Sequence, residues 1–298
     1  MKKLCTLLFI LLWAGLGIAT IRRPADVDTA AKPPERIVCL APNLTEIIFA
    51  LGLGEKIVGV TSDSRYPPQA LNKKNVGTFW QPNPEAVIAT RPDLVLTLSF
   101  HQQQTVAEQL SRIGYRCLTV EIETIEQFYN AVEQIGAAAS RQAEADALVS
   151  SLKKKLAVLS EKISRSPKVS VLWVVQTEPL RVAGTDTFID ELIRLAGGRN
   201  AIGKTIYQYP PIGLEQVIAS APDVIIHPAM ENSAISLQTE QAMQFWSRLK
   251  NLPAVKNNRV YVVEPDKISR ISPRLYDGVE MIAAYLHPEV FSERSSEQ

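Results

Sequence analysis

Hydrophobic positions along this chain alternate between two rhythms. Short uninterrupted apolar runs occur at Arg36–Leu40, Ile57–Val60, Leu94–Leu98 and Cys117–Val120, and each predicts a strand buried on both faces of a parallel sheet. Between them the apolar residues move to helical spacing. Leu44, Ile47, Ile48 and Leu51 mark one helix, with Asn43 as the expected N-cap, Glu46 as its capping-box partner and Gly52 as the stop. Further helices are expected over Pro84–Thr90 and Gln103–Ile113. The second half begins with a strand at Val169–Val175, continues with a helix over Phe188–Leu195 and closes with one over Arg274–Leu286. Strands alternating with helices predict an α/β fold with parallel sheets.

An internal repeat divides the chain. Residues 85–95 read EAVIATRPDLV and residues 215–225 read EQVIASAPDVI. Glu, Val, Ile, Ala, Pro and Asp recur without a gap at a constant offset of 130. Tyr66-Pro67-Pro68 is echoed by Tyr209-Pro210-Pro211. That offset is too long for a solenoid unit and fits two similar lobes. At their junction Ala145, Leu148, Leu152, Leu156, Leu159 and Ile163 form one helical stripe, ended by Pro167. About 22 helical residues span roughly 33 Å, enough to bridge two lobes.

The start of the chain follows other rules. Met1-Lys2-Lys3 precedes an uncharged apolar run from Leu4 to Ile18, and Gly17-Ile18-Ala19 offers small residues where a signal peptidase reads. A cleaved leader over residues 1–19 is expected, with an uncleaved anchor as the alternative, and a polar tether over 20–34. The folded part then divides into an N-terminal lobe (35–140), a bridging helix (141–166) and a C-terminal lobe (167–292). Either fate of the leader sends the chain out of the cytoplasm.

Composition narrows the partners. The 298 residues hold 32 Lys and Arg against 31 Asp and Glu. Lys2 and Lys3 belong to the leader, which leaves 30 basic residues and a slightly acidic chain. Without a basic block, phosphate-backbone binding has no footprint, and no nucleic-acid partner is expected. Cys39 and Cys117, on core strands of one lobe, are either buried thiols or a disulfide.

Motifs for chemistry are few. Residues 198–205, GRNAIGKT, spell a phosphate-binding loop. That loop needs a strand before it and a helix after it, whereas a helix precedes this one and Ile206–Pro211 cannot begin a helix. A glycine-rich helix stop explains the same letters. The sequence has no Gly-x-Ser-x-Gly elbow and no His-Glu-x-x-His pair. His101 and His227 fall just after the strands of the two repeats. They are candidate axial ligands for a metal-bearing macrocycle, or simple strand terminators. Tyr66, Phe79, Trp80, Phe100, Tyr207 and Tyr209 sit in the loops around the repeat helices, where aromatic rings would grip a large flat ligand.

Several segments together resemble one family: residues 36–46 (RIVCLAPNLTE), Tyr66-Pro67-Pro68, Phe79-Trp80-Gln81 with Asn83-Pro84-Glu85, and residues 270–274 (RISPR). They are similar to the helical-backbone class of periplasmic substrate-binding proteins of ABC importers, closest to the cobalamin-binding members. The resemblance covers nearly all of residues 36–287. It implies two Rossmann-like α/β lobes joined by a single long helix, with a ligand cleft between them. The implied protein is a non-enzymatic monomer outside the cytoplasmic membrane. It carries no cofactor of its own, captures a corrinoid and delivers it to an ABC permease dimer with its ATPase subunits. By the same resemblance Tyr66, Trp80 and Tyr209, with Asp266, Lys267, Ile268, Ser269 and Arg270, contact the ligand. Glu85 and Glu215, matched by the repeat, dock to permease arginines. Lys267, Ile268 and Ser269 depart from the pattern, standing where the best-known cobalamin binder has two aromatics and an acid. Haem or a ferric siderophore is the alternative cargo, and an extracytoplasmic metal-dependent enzyme the remote alternative.

Overall fold

The computed structural model describes residues 32–229, 235–265, 268 and 270–291. The expected leader and the start of the tether lie outside these residues. The four apolar runs of the first half form β1 (Ile37–Cys39), β2 (Ile57–Val60), β3 (Leu94–Leu98) and β4 (Cys117–Val120). They pair in the order β2-β1-β3-β4, all parallel. Parallel neighbours need a crossover, and α1 (Pro42–Ala50), α2 (Pro84–Ala89) and α3 (His101–Arg112) supply it, while α4 (Ile125–Ala138) follows β4 and leads out of the sheet.

The second sheet is built around β5 (Val169–Thr177), which pairs with β6 (Leu180–Val182), β7 (Gly198–Asn200) and β8 (Val224–Pro228). β9 (Val260–Val263) adds to β8. All pairs are parallel except the hairpin of β5 with β6. Here the packing helices are α6 (Phe188–Leu195), α7 (Leu214–Ser220), α8 (Ile235–Trp246), α9 (Pro253–Lys256) and α10 (Leu275–Leu286).

Between the sheets runs α5 (Gln142–Lys162). Its N-terminal half gives Ala145, Val149 and Leu152 to the core of the first lobe, and its C-terminal half gives Leu156, Leu159 and, just beyond the helix, Ile163 to that of the second. One apolar stripe thus belongs to two hydrophobic cores. From Pro33 onward the chain forms one compact unit.

The repeat has a physical meaning. Asp93 accepts hydrogen bonds from the Glu35 and Arg36 amides through its two carboxylate oxygens (2.9 and 3.0 Å), while its own amide donates to the Arg36 carbonyl. Asp223 accepts from the Ser170 amide at 2.9 Å and donates back to the Ser170 carbonyl. Each aspartate clips the start of the central strand of its lobe. Two residues earlier, Arg91 (φ 49°) and Ala221 (φ 41°) share a left-handed turn that stops the repeat helix before its proline.

Three local expectations are corrected. Asn43 does not cap α1: Pro42 lacks an amide hydrogen and starts the helix two residues earlier than expected, with Ala41 as N-cap. The Asn43 carboxamide accepts from the Leu44 amide, and Glu46 turns to Arg274 instead. α3 begins at His101 rather than Gln103. The phosphate-loop letters open on the short strand β7 and are followed by no helix before α7. The choice left open for the cysteines resolves to free thiols. β3 lies between β1 and β4, so two strand spacings, about 10 Å, separate their backbones, beyond disulfide reach. Burial pushes the Cys39 thiol up to about 12.

Candidate functional site

The carboxyl ends of the strands in both lobes open on one cavity of about 520 Å³. From the first lobe come Asn43 after β1, Asp63 after β2, Leu98 at the end of β3 and Glu123 after β4. From the second come Asp186 and Phe188 after β6, Tyr209, and Arg270 after β9. A cleft beyond the strand ends is where α/β sheets bind ligands, because the connecting loops diverge there. The volume lies in the range of small-molecule sites.

One wall is aromatic. Phe79 packs edge-on against Trp80 (centroids 4.8 Å apart, 81° between planes), and Phe100 lies 5.0 Å from Phe79 and 5.8 Å from Trp80. Trp80 is 64% exposed and Tyr209 is 39% exposed. Large rings left open to a cavity offer apolar contact area at low entropic cost. Burial raises the pKa of the Tyr209 phenol, which stays neutral as a donor.

Backbone contacts fix this wall. The Phe79 amide donates to Asp63 Oδ2 at 2.7 Å, and its carbonyl accepts from Gln103 Nε2 at 3.2 Å. Gln103, fully buried, also donates to the Leu40 carbonyl (2.7 Å) and accepts from the Leu98 amide (2.8 Å). One carboxamide therefore ties the 78–82 turn to the ends of β1 and β3. Gly77 (φ 110°) permits that turn, since a Cβ there would come within 2.6 Å of the Gln81 carbonyl oxygen. Across the cleft, Arg181 Nη1 donates to the Tyr209 carbonyl (3.2 Å) and the Gly184 amide to the Gln208 carbonyl (2.8 Å).

A second, smaller cavity of about 120 Å³ shares Asp63 and Arg270 with the first and is completed by Arg65, Tyr66 and Arg274. Glu46 and Arg274 join the lobes here. Arg274 donates from Nε and Nη2 to the two Glu46 oxygens at 2.9 and 2.7 Å. Its guanidinium lies 4.0 Å from the centre of the Tyr66 ring. A further polar bond between lobes runs from the Ile125 amide to Glu191 Oε2 at 2.9 Å.

The expected ligand contacts therefore separate. Trp80 and Tyr209 line the 520 Å³ cavity and Arg270 lines both, whereas Tyr66 lines the smaller one and, with Glu46, Phe49 and Arg274, a further open recess of about 580 Å³. Ile268 is fully buried in the core of the second lobe, where an apolar side chain after β9 packs instead of facing the cleft. Asp266, Lys267 and Ser269 lie outside the described residues. His101 is the exposed first residue of α3, away from the cavity lining. His227 is not available as an axial ligand: it is buried, and its Nε2 accepts the Trp246 indole N–H at 2.7 Å. Burial lowers its pKa to about 4, so it is neutral. Glu85 and Glu215 stand exposed in the first turns of α2 and α7. Asp63, Arg65, Glu123 and Asp186 were not singled out by the sequence, although each follows a strand, which is the one signal pointing to them.

Comparison with known proteins fits this geometry. Residues 37–267 match the periplasmic binding protein family. An ABC transporter substrate-binding lipoprotein of Bacillus subtilis, YvrC, is 34% identical over 284 residues, covering 91% of this chain and 88% of its own. The crystal structure of the periplasmic vitamin B12 binding protein BtuF of Vibrio cholerae superposes with a TM-score of 0.72 at 25% identity, over 89% of this chain and 99% of that one. A periplasmic haem-binding protein of Pseudomonas aeruginosa gives 0.74 at 26% identity, over 86% and 93%. With two α/β lobes, one bridging helix and a cleft at the strand ends, this chain belongs to the periplasmic binding protein family of ABC transporters.

Proposed function

We propose that this protein is an extracytoplasmic receptor that captures a corrinoid between its lobes and delivers it, as a monomer, to an ABC permease dimer. The rings of Phe79 and Trp80, backed by Phe100, line a cavity of about 520 Å³ together with Tyr209 and carry the reading. The vitamin B12 binding protein of Vibrio cholerae, similar over nearly its whole length, supports it. Secretion by a cleaved leader is part of the same reading. So is a role in binding rather than catalysis, which the periplasmic binding protein family and the substrate-binding lipoprotein of Bacillus subtilis support.

Haem is the second reading. Ile268, buried rather than lining the cleft, weakens the corrinoid match, and the Pseudomonas haem-binding protein is similar to the same extent. Calorimetric titration of the purified mature protein with cyanocobalamin, haemin and ferric siderophores separates the two. One corrinoid per chain is expected. Response to haemin alone replaces the cargo and leaves the receptor role standing.

A further inference from the structure

The segment that leaves β2 turns a single side chain inward after Thr61. Ser62, Arg65 and Tyr66 are exposed and Asp63 is half-buried, whereas Ser64 is buried. A buried hydroxyl needs polar partners, and Ser64 has two. Its Oγ lies 3.1 Å from Thr45 Oγ1 on α1 and 3.3 Å from Thr61 Oγ1 at the end of β2. Thr45 Oγ1 reaches on to the Ala41 carbonyl at 3.2 Å, so three buried hydroxyls and a carbonyl form one chain of hydrogen bonds. The Ser64 amide also donates to the Thr61 carbonyl at 2.9 Å. Everything that fixes residues 62–66 to α1 from within the lobe passes through this one serine.

The neighbour of that serine carries the consequence. Asp63 Oδ2 accepts the Phe79 amide at 2.7 Å, and the Ser62 amide donates to the Gly77 carbonyl at 2.9 Å. The 62–63 backbone is thereby tied to the turn that presents Phe79 and Trp80, whose rings meet edge-on. A half-exposed carboxylate on an unanchored loop would sample several positions and hold the Phe79 peptide only part of the time. We propose that Ser64 is a positioning residue for the aromatic wall. Locked by Thr45 and Thr61, it keeps Asp63 in register with the Phe79 amide, and so sets how the Trp80 ring stands at the cavity. Ser64 itself is not among the residues lining the 520 Å³ cavity. Its part in binding rests on the receptor reading and deepens it: the wall is ordered before the ligand arrives, which spares the ligand the cost of ordering it.

The test is a double-mutant cycle of Ser64→Ala, Asp63→Ala and the two combined. Iodide quenching of tryptophan fluorescence reads the wall without any ligand, because Trp80 is exposed whereas Trp173 and Trp246 are buried. Trp80→Phe in each background subtracts every other tryptophan. Calorimetry with cyanocobalamin and haemin reads affinity. Both single variants are expected to raise the Trp80 quenching constant and to weaken binding of whichever probe the wild type takes. For Asp63→Ala the loss should be about tenfold, as one hydrogen bond to a charged group requires. If Ser64 acts through Asp63, the double variant is no worse than Asp63→Ala alone. Thr45→Ser keeps the hydroxyl and should quench like wild type. Thr45→Val, of similar shape without it, should match Ser64→Ala, and it keeps the test open if Ser64→Ala fails to fold. Effects that add in the double variant overturn the proposal. So does wild-type quenching in Ser64→Ala or Thr45→Val protein that urea denaturation shows to be destabilised, since that is a structural role only. Should neither probe bind, the cargo reading falls, and the quenching cycle alone upholds or overturns the positioning role.

Discussion

Phe79 is held on both sides of its peptide, by Asp63 at the amide and Gln103 at the carbonyl. Gln103 has the larger structural task, because its carboxamide also satisfies Leu40 and Leu98 at two strand ends. Gln103→Leu keeps the side chain's approximate bulk but leaves two buried backbone groups and one partly buried one without that partner. Each such group costs about 1–3 kcal/mol. A loss of about 3 kcal/mol or more in urea denaturation is expected, together with weaker binding of whichever of cyanocobalamin or haemin the wild type takes. Unchanged affinity in a destabilised protein would make Gln103 structural only. Nothing in the sequence exposed this residue. A glutamine in an amphipathic helix reads as a solvated position, and its inward turn depends on where β1 and β3 end. The aromatics were legible for the opposite reason, since large rings in loops have few other uses. Tyr66 was legible as a site residue yet belongs to the smaller cavity, because Arg274, more than 200 residues away, stacks on it.

Elements were read best where the apolar period was unbroken. β2, β3, β4 and α6 lie at the expected limits, and α5 lies within about three residues of its stripe. The missing elements had weaker signals. α4 carries a capping box, Thr124 with Gln127, that the sequence displays but that has meaning only once β4 has been placed. β6 and β7 are three residues each and exist because β5 is long enough to pair with both. The repeat supports a prediction at this scale. Asn83 caps α2 by accepting the Ala86 amide at 2.9 Å, and Gly213 holds the same place before α7. Glu85 and Glu215 follow these caps on matched exposed turns. Each favours its own helix dipole by about 0.3–1 kcal/mol, which leaves both carboxylates available to a two-fold symmetric partner. Glu85→Ala with Glu215→Ala should leave folding and ligand affinity nearly intact and abolish uptake in cells that carry the cognate permease. Normal uptake by this variant removes the docking role, and lost ligand binding moves the acids to the cleft.

At the scale of the molecule, the two lobes are tied by more than α5. Ile125 bonds to Glu191, Glu46 to Arg274, and Phe188 and Tyr276 pack against both cores. Opening the cleft by a wide hinge would break all of these at once. X-ray scattering profiles with and without saturating cyanocobalamin or haemin should therefore nearly superimpose, and a marked fall in radius of gyration would contradict the rigid bridge. The Glu46–Arg274 pair has one more consequence, in time rather than in space. Every strand of the first sheet lies between Ile37 and Val120, so that sheet is complete long before the chain reaches residue 274. Until then Glu46, almost fully enclosed in the finished protein, has no cation at its side. A buried carboxylate without a partner is costly, so the first lobe emerges unfinished and keeps that corner wet. The arrival of α10 then closes it, so the last part of the chain to emerge completes the first lobe to form.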